Sequence, residues 1–234
     1  MSIKLLTNET IDQLKKNFED VRSNMDRASI GKDVTLLAAT KTVDPEIINY
    51  AIDELGLTDI GENKVQELLS KYDSMHLDKV NLHFIGRLQT NKVKYIVDKV
   101  CLIHSVDSLR LASEIEKQSA KRGIVSSVLI EVNIAAEESK GGLLPQELPE
   151  FLDMLKQFSH VCCKGLMVIP PDCRDDEKYT QYFKKTKELA ERVFTDITPI
   201  ISMGMTDSYV PAIKCGADII RVGSGLFGKR DYQK

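Results

Sequence analysis

Lys41 closes an apolar run, VTLLAATK, that begins at Val34. An apolar wall disfavours an ammonium, and a neutral amine is a nucleophile toward a carbonyl carbon. The plainer alternative is a lysine whose stem covers apolar surface while its head reaches solvent. Two glycine-containing segments, SMGMT (Ser202 to Thr206) and RVGSG (Arg221 to Gly225), carry complementary chemistry. Backbone N–H groups clear of bulky side chains hold an anion such as phosphate, and Ser202, Thr206 and Ser224 add hydroxyl donors. Glycine turns also occur as plain connections. An amine nucleophile together with a phosphate cup points to a phosphorylated carbonyl ligand, with pyridoxal 5′-phosphate (PLP) as the candidate.

These residues can act together only if the chain folds them onto one face, and the hydrophobic pattern says how. Residues 8 to 28 carry Ile11, Leu14, Phe18, Val21 and Met25 at spacings of three and four, which predicts an amphipathic helix. A strand–helix rhythm then follows. VTLLAAT precedes a helix opening at Asp44-Pro45 and running to Leu55; TDIGEN precedes a helix from Lys64 to Tyr72; NLHFIG precedes one from Asn91 to Lys99. CLIHSV precedes Ser108 to Lys121, SSVLIEVNI precedes Pro145 to Phe158, and CCKGLMVI precedes Asp175 to Val193. PIISMG precedes Ser208 to Lys214, and DIIRVG precedes a short terminal piece.

Apolar runs without alternation are the mark of parallel strands buried on both faces. Eight such units in 234 residues predict a single α/β domain over 1–234, a (β/α)8 TIM barrel with an extra helix over 1–30 packed on it. No GxGxxG follows a first strand to favour a doubly wound sheet. In the barrel, the active face is made by residues just beyond the strands' C-terminal ends, and there Lys41, Asn63, His83, Ser202 and Arg221 fall.

Composition removes other readings. With 32 Lys+Arg against 35 Asp+Glu the net charge is −3, which argues against a polyanion binder. No apolar stretch is long enough for a membrane span, and the N-terminal segment lacks a signal peptide's apolar centre, so a cytoplasmic protein is expected. The five cysteines form no CxxC pair and read as buried or half-buried small hydrophobes, and the four histidines form no metal-binding pattern.

The segments LLAATK, DIGENKVQEL, LHFIGRLQTNK, IHSVDS, EVNIAAEESKGG, KGLMVIPP, SMGMTDSY and RVGSGLFGKRDY resemble the YggS/PROSC family of PLP homeostasis proteins, in register from Val34 to Tyr232. The resemblance implies a fold-type III PLP barrel like the N-terminal domain of alanine racemase, with PLP held as a Schiff base on Lys41. It implies that Arg221 meets the pyridine nitrogen, which must then be an unprotonated acceptor because a guanidinium only donates. It places the phosphate on Ser202, Met205, Thr206, Gly223 and Ser224, with Asn63 and His83 near the cofactor. This chain departs from the family at Lys64, where many members have tyrosine, and in the loop carrying Arg87, Lys92, Lys94 and Lys99. That basic segment reads as a solvated helix face or as a site for an anion or partner.

Lys140, followed by Gly141 and Gly142 in ESKGG, is a further lysine at the active face. It is a candidate for assisting cofactor transfer, or a surface lysine paired with Glu137 or Glu138. The family resemblance favours a non-catalytic carrier that buffers PLP and delivers it to PLP-dependent apoenzymes, acting as a monomer. The alternative is a PLP-dependent amino-acid racemase. Racemisation requires a second base on the opposite cofactor face, and the chain's end at Lys234 leaves little beyond Arg221 to supply one.

Overall fold

A computed structural model describes residues 6–29, 31–137 and 140–228. The predicted rhythm closes into a barrel of eight parallel strands in sequential order, the last pairing with the first. The strands are β1 (Thr35–Ala39), β2 (Asp59–Glu62), β3 (Asn81–Phe84), β4 (Leu102–Val106), β5 (Ser126–Val132), β6 (Val161–Val168), β7 (Ile200–Ser202) and β8 (Ile219–Val222). Alternation along each strand divides the core. Leu37, Ala39, Ile85, Leu102, Leu129, Met167 and Ile219 fill the inside, while their strand neighbours Ala38, Ile60, Phe84, Ile103 and Ile220 face the surrounding helices.

The helices begin and end where local chemistry dictates. α2 (Pro45–Leu55) has proline in its first turn and stops at Gly56, whose φ of 61° belongs to the left-handed region. α4 (Leu109–Arg122) opens on Ser108, whose hydroxyl accepts from the Leu111 N–H, and α6 (Asp176–Val193) opens on the Asp175 carboxylate. α3 (Val65–Lys71), α7 (Tyr209–Lys214) and α8 (Ser224–Phe227) are short. α1 (Asn8–Ala28) lies against the barrel's closure. Phe18 meets Phe227 edge to face at 6.1 Å, Asn17 donates to the Leu226 carbonyl, and Asn24 donates to the Tyr209 hydroxyl. Burial of Leu14, Phe18, Val21 and Met25 stabilises that contact by roughly 1.5–3 kcal/mol per side chain.

Three expectations need correction. The segment after β3 forms a 3₁₀ helix, Thr90–Tyr95, rather than an α-helix to Lys99. Its β-branched and aromatic residues are poor helix formers, and Val93, Ile96 and Val97 turn inward to the core. Its exposed Lys94 lies 4.9 Å from the Tyr95 ring, and the half-buried Lys99 lies 4.6 Å from the Tyr72 ring. α5 (Leu148–Leu155) starts later than Pro145 because Pro149 fits only in a first turn. Cys101, immediately before β4, is exposed rather than buried or half-buried.

Among the described residues no helix is long and apolar enough to cross a membrane. The ends of the 1–234 domain range, and Glu138 as a partner for Lys140, lie outside the described residues.

Candidate functional site

The turn bearing Lys41 is anchored on both sides. The Thr40 N–H donates to the Gly61 carbonyl at 3.0 Å, extending the β1–β2 ladder past Ala39. Thr42 adopts φ 63°, unusual for a branched residue, and its N–H donates to the Glu67 carboxylate. Between them Lys41 is half-buried, and its amine has no hydrogen-bond or ion-pair partner among the described residues.

Behind this turn lies a buried charge cluster. The Lys71 ammonium donates to the Glu62 carboxylate at 3.2 Å and to Glu67 at 2.6 Å, while the Thr40 hydroxyl donates to Glu62 at 2.8 Å. Burial pushes the Glu62 carboxyl above its ordinary value against the pull of Lys71, and its Oε2 has no partner among the described residues. Burial acts the same way on Glu67, but Lys71 and the Thr42 N–H outweigh it and hold that carboxyl low.

Arg221 projects into the barrel from β8. It is 5% exposed, and burial lowers its guanidinium to about 10 despite the attraction of Glu131. Its Nη1 donates to the Ser202 hydroxyl at 2.7 Å and its Nη2 to the Val168 carbonyl at 2.9 Å, at the C-terminal ends of β7 and β6. Ser202 thus serves the guanidinium from inside the barrel. Its fully buried hydroxyl is also shared with His104 at 3.1 Å.

His83 is buried as well, with Nδ1 against His104 at 3.0 Å and Nε2 against Asp59 at 3.1 Å. Both of its nitrogens are engaged within the barrel. Burial, then His83 and Arg221, drive the His104 imidazole well below its ordinary value, so it is neutral. Burial pushes the Asp59 carboxyl up, but hydrogen bonds from His83, Thr58 and Asn81 outweigh it and keep the group ionised.

The turns after β7 and β8 meet. The Thr206 hydroxyl accepts from the Gly225 N–H and from the Ser224 hydroxyl, both at 3.2 Å. The Gly223 carbonyl accepts from the Leu226 and Phe227 N–H groups of α8, both at 3.0 Å. The N–H groups of Thr206 and Ser224 have no partner among the described residues, whereas the Met205 N–H is taken by the Ser208 hydroxyl at 3.1 Å. Gly204 permits this approach. Its φ is 92°, and a Cβ there would lie 2.6 Å from that of Ala212.

On the β2–β5 side of the strand ends lies a cavity of about 320 Å³ lined by Asn63, Arg87, Asp107, Glu131, Lys140 and neighbouring loop residues. Lys140 reaches it from a loop shaped by Asn133, whose amide donates to the Glu137 carbonyl at 2.8 Å. The Lys140 amine donates to the Pro170 carbonyl at 3.0 Å and pairs with Glu137 at 3.0 Å. Burial and the Asp107 charge raise the Glu131 carboxyl, against Arg221 and Arg87.

The barrel therefore groups Lys41, Arg221 and the paired turns at the strand ends, and it withdraws Ser202 and His83 into the interior. Sequence reasoning missed Asp59, Lys71 and Glu131, and it placed Glu62 beyond the second strand without a role. The inward alternation of β2 would have marked Asp59 as a carboxylate inside a barrel.

The sequence pattern of the alanine racemase N-terminal domain matches residues 10–231. A pyridoxal phosphate homeostasis protein of Aquifex aeolicus (strain VF5) is 44% identical, over 94% of this chain and 98% of its own. Among solved structures, PipY of Synechococcus elongatus PCC7942 with PLP bound is 28% identical with a TM-score of 0.80, covering 92% of this chain and all (100%) of that one. An alanine racemase of Clostridium difficile 630 shares the fold at 12% identity and TM-score 0.67, but only 57% of its length is covered. The strand-end lysine, the buried arginine and these full-length likenesses place the chain in the pyridoxal phosphate homeostasis protein family, built on the alanine racemase N-terminal domain fold.

Proposed function

We propose that the chain binds PLP at the C-terminal mouth of the barrel and acts as a reservoir that supplies the cofactor, without turning over a substrate. The observation that carries this reading is a partnerless amine at Lys41, just beyond the end of β1, together with a buried, donor-only group at Arg221 on the neighbouring strand β8. The donor set fits the cofactor. Lys41 takes the aldehyde, Arg221 offers N–H groups to the ring nitrogen, and Thr206, Gly223 and Ser224 with their free amides take the phosphate. Ser202 holds Arg221 through its hydroxyl and lies at the phosphate turn with its backbone, Met205 contributes once Ser208 releases its amide, and Asn63 borders the ring. When bound, PLP supplies an electrophilic aldehyde and a ring that withdraws electron density.

Arg221 restrains that second property. A guanidinium cannot accept a proton bond and stays charged at working pH, so the nitrogen it faces is kept unprotonated and is a weak electron sink. Lys140 stands at the mouth on a loop and is the residue we assign to receiving PLP in transit, after breaking its contacts with Glu137 and Pro170.

The near-complete overlap with a homeostasis relative, against partial overlap with a racemase, supports the carrier reading over an amino-acid racemase. A cytoplasmic monomer that passes PLP to apoenzymes is the form we expect, and light scattering reads the monomer directly. Racemisation assays over a panel of amino acids, with PLP-loaded protein, test the absence of turnover. Rates in the common enzyme range of ~1–10³ s⁻¹ would reverse the assignment.

A further inference from the structure

A continuous line of side-chain hydrogen bonds crosses the barrel interior, from Asp59 on β2 through His83 on β3 and His104 on β4 to Ser202 on β7 and Arg221 on β8. Its ends differ in kind. Arg221 has only donors, and the ionised Asp59 has only acceptors. Ser202 Oγ accepts from Arg221, so its own proton needs an acceptor, and among the described residues its only other contact is His104 Nδ1. His104 Nδ1 is then bare, which puts the proton on Nε2, and Nε2 donates to His83 Nδ1. His83 in turn carries its proton on Nε2 and donates to Asp59.

Every proton in this arrangement is used once, and both imidazoles are neutral. Asp59 is further fixed by Thr58 at 2.8 Å and Asn81 at 3.1 Å, so its acceptor role is held from outside the line. A doubly protonated His83 would reverse the middle of the chain. The fully buried Ser202 hydroxyl would then have no acceptor, an arrangement with a penalty of roughly 1–3 kcal/mol.

We infer that Asp59, His83 and His104 are positioning residues for Arg221, joined in a one-directional chain that orients the guanidinium so that the site selects a ligand ring with an acceptor nitrogen. The inference rests on the reading that Arg221 meets the ring nitrogen of PLP. The orientation follows from geometry. With Nη1 held by Ser202 and Nη2 by the Val168 carbonyl, the guanidinium plane is fixed at two points. Its other N–H groups have no partner among the described residues and remain for a ligand. The register sets Arg221 beside Leu37 and Leu37 beside Asp59. The two charged ends therefore lie on one level of the barrel with an aliphatic side chain between their strands, and the imidazoles join them by the other way round.

The test has two parts. In the ligand-free wild-type protein, nitrogen-15 NMR of labelled histidines reads the tautomers, and the expected result is Nε2–H on both His83 and His104. An Nδ1–H form of His104, or an imidazolium at His83, would overturn the inferred direction whatever the ligand does. In the second part, affinities are compared for PLP and for its carbocyclic analogue, in which C–H replaces the ring nitrogen. Wild type should prefer PLP, and Asp59→Asn, whose amide both donates and accepts, should reduce that preference about tenfold, since one hydrogen bond to a charged group is at stake. Equal weakening of both ligands by Asp59→Asn would reduce Asp59 to a structural role and overturn the inference. A wild type that keeps the expected tautomers yet does not discriminate the two ligands would instead overturn the contact between Arg221 and the ring nitrogen, and with it the selection stated here.

Discussion

The Lys71 ammonium donates a 3.0 Å hydrogen bond to the backbone carbonyl of Thr40, the residue immediately before Lys41. A lysine that is itself 6% exposed thereby ties the reactive turn to Glu62 on β2 and Glu67 on α3. Removing one partner of such a buried cluster leaves the others uncompensated, at a cost of about 3–5 kcal/mol. Lys71→Met is expected to lose stability on that scale in urea unfolding, and Lys71→Met with Glu62→Gln should recover part of it. An unchanged unfolding midpoint in the single variant would mean that the cluster holds nothing.

Gly204 lets the turn after β7 pass close to α7. An alanine there would be strained at φ 92° and its Cβ would lie 3.0 Å from Tyr209 Cα as well as against Ala212. Gly204→Ala should destabilise the fold by about 1–3 kcal/mol from the backbone alone. It should also weaken PLP and inorganic phosphate together, because Thr206 moves with the turn. Titrations of both ligands read this, and a loss confined to PLP would show that the turn does not hold phosphate.

His104 sets a pH dependence whose sign follows from its environment. Burial, His83 and Arg221 place its folded value well below the ordinary 6.5, so the unfolded chain binds the proton first as pH falls. Its contribution is fully present above the ordinary histidine value and is lost on descending toward the lower folded one. For one proton the slope does not exceed ~1.4 kcal/mol per pH unit. Denaturant midpoints should fall between about pH 7 and about pH 5, and His104→Gln should flatten that part of the curve. An identical slope in the variant would assign the effect elsewhere.

Lys140 gives a covalent test of transit. Borohydride treatment of the PLP-loaded Lys41→Ala protein, followed by peptide mapping, should place label on Lys140, and Lys140→Ala should slow release of PLP to an apoenzyme severalfold. Absence of label from Lys140 in that background would end the assignment.

The strands were legible because each is buried on both faces and so reads as an unbroken apolar run, as in VTLLAAT and DIIRVG. Lys41 stood out as a polar residue where such a run ends, whereas the role of Arg221 came from the family resemblance. Ser202 was legible as a residue but not as a role, because its hydroxyl is committed to Arg221 and His104 only once β4, β7 and β8 surround one interior. The same holds for Asp59 and His83, which lie 24 positions apart and meet through strand register rather than spacing. Lys71 reads in sequence as an ordinary last-turn cation, and only the packing of α3 against the β1–β2 edge buries it. The 3₁₀ segment at Thr90–Tyr95 was misread because its lysines suggested a surface helix, while Val93 and Ile96 were being drawn into the core.

The most direct measurement is the absorbance of the purified protein after incubation with PLP, followed by borohydride trapping and mapping. Wild type should show a bound-cofactor band in the near-ultraviolet to visible range that borohydride bleaches, with the label on Lys41, and Lys41→Ala should lose most of that band and keep only what the Lys140 adduct supplies. A wild-type protein that stays colourless after reconstitution, or whose label maps away from Lys41, would contradict the account.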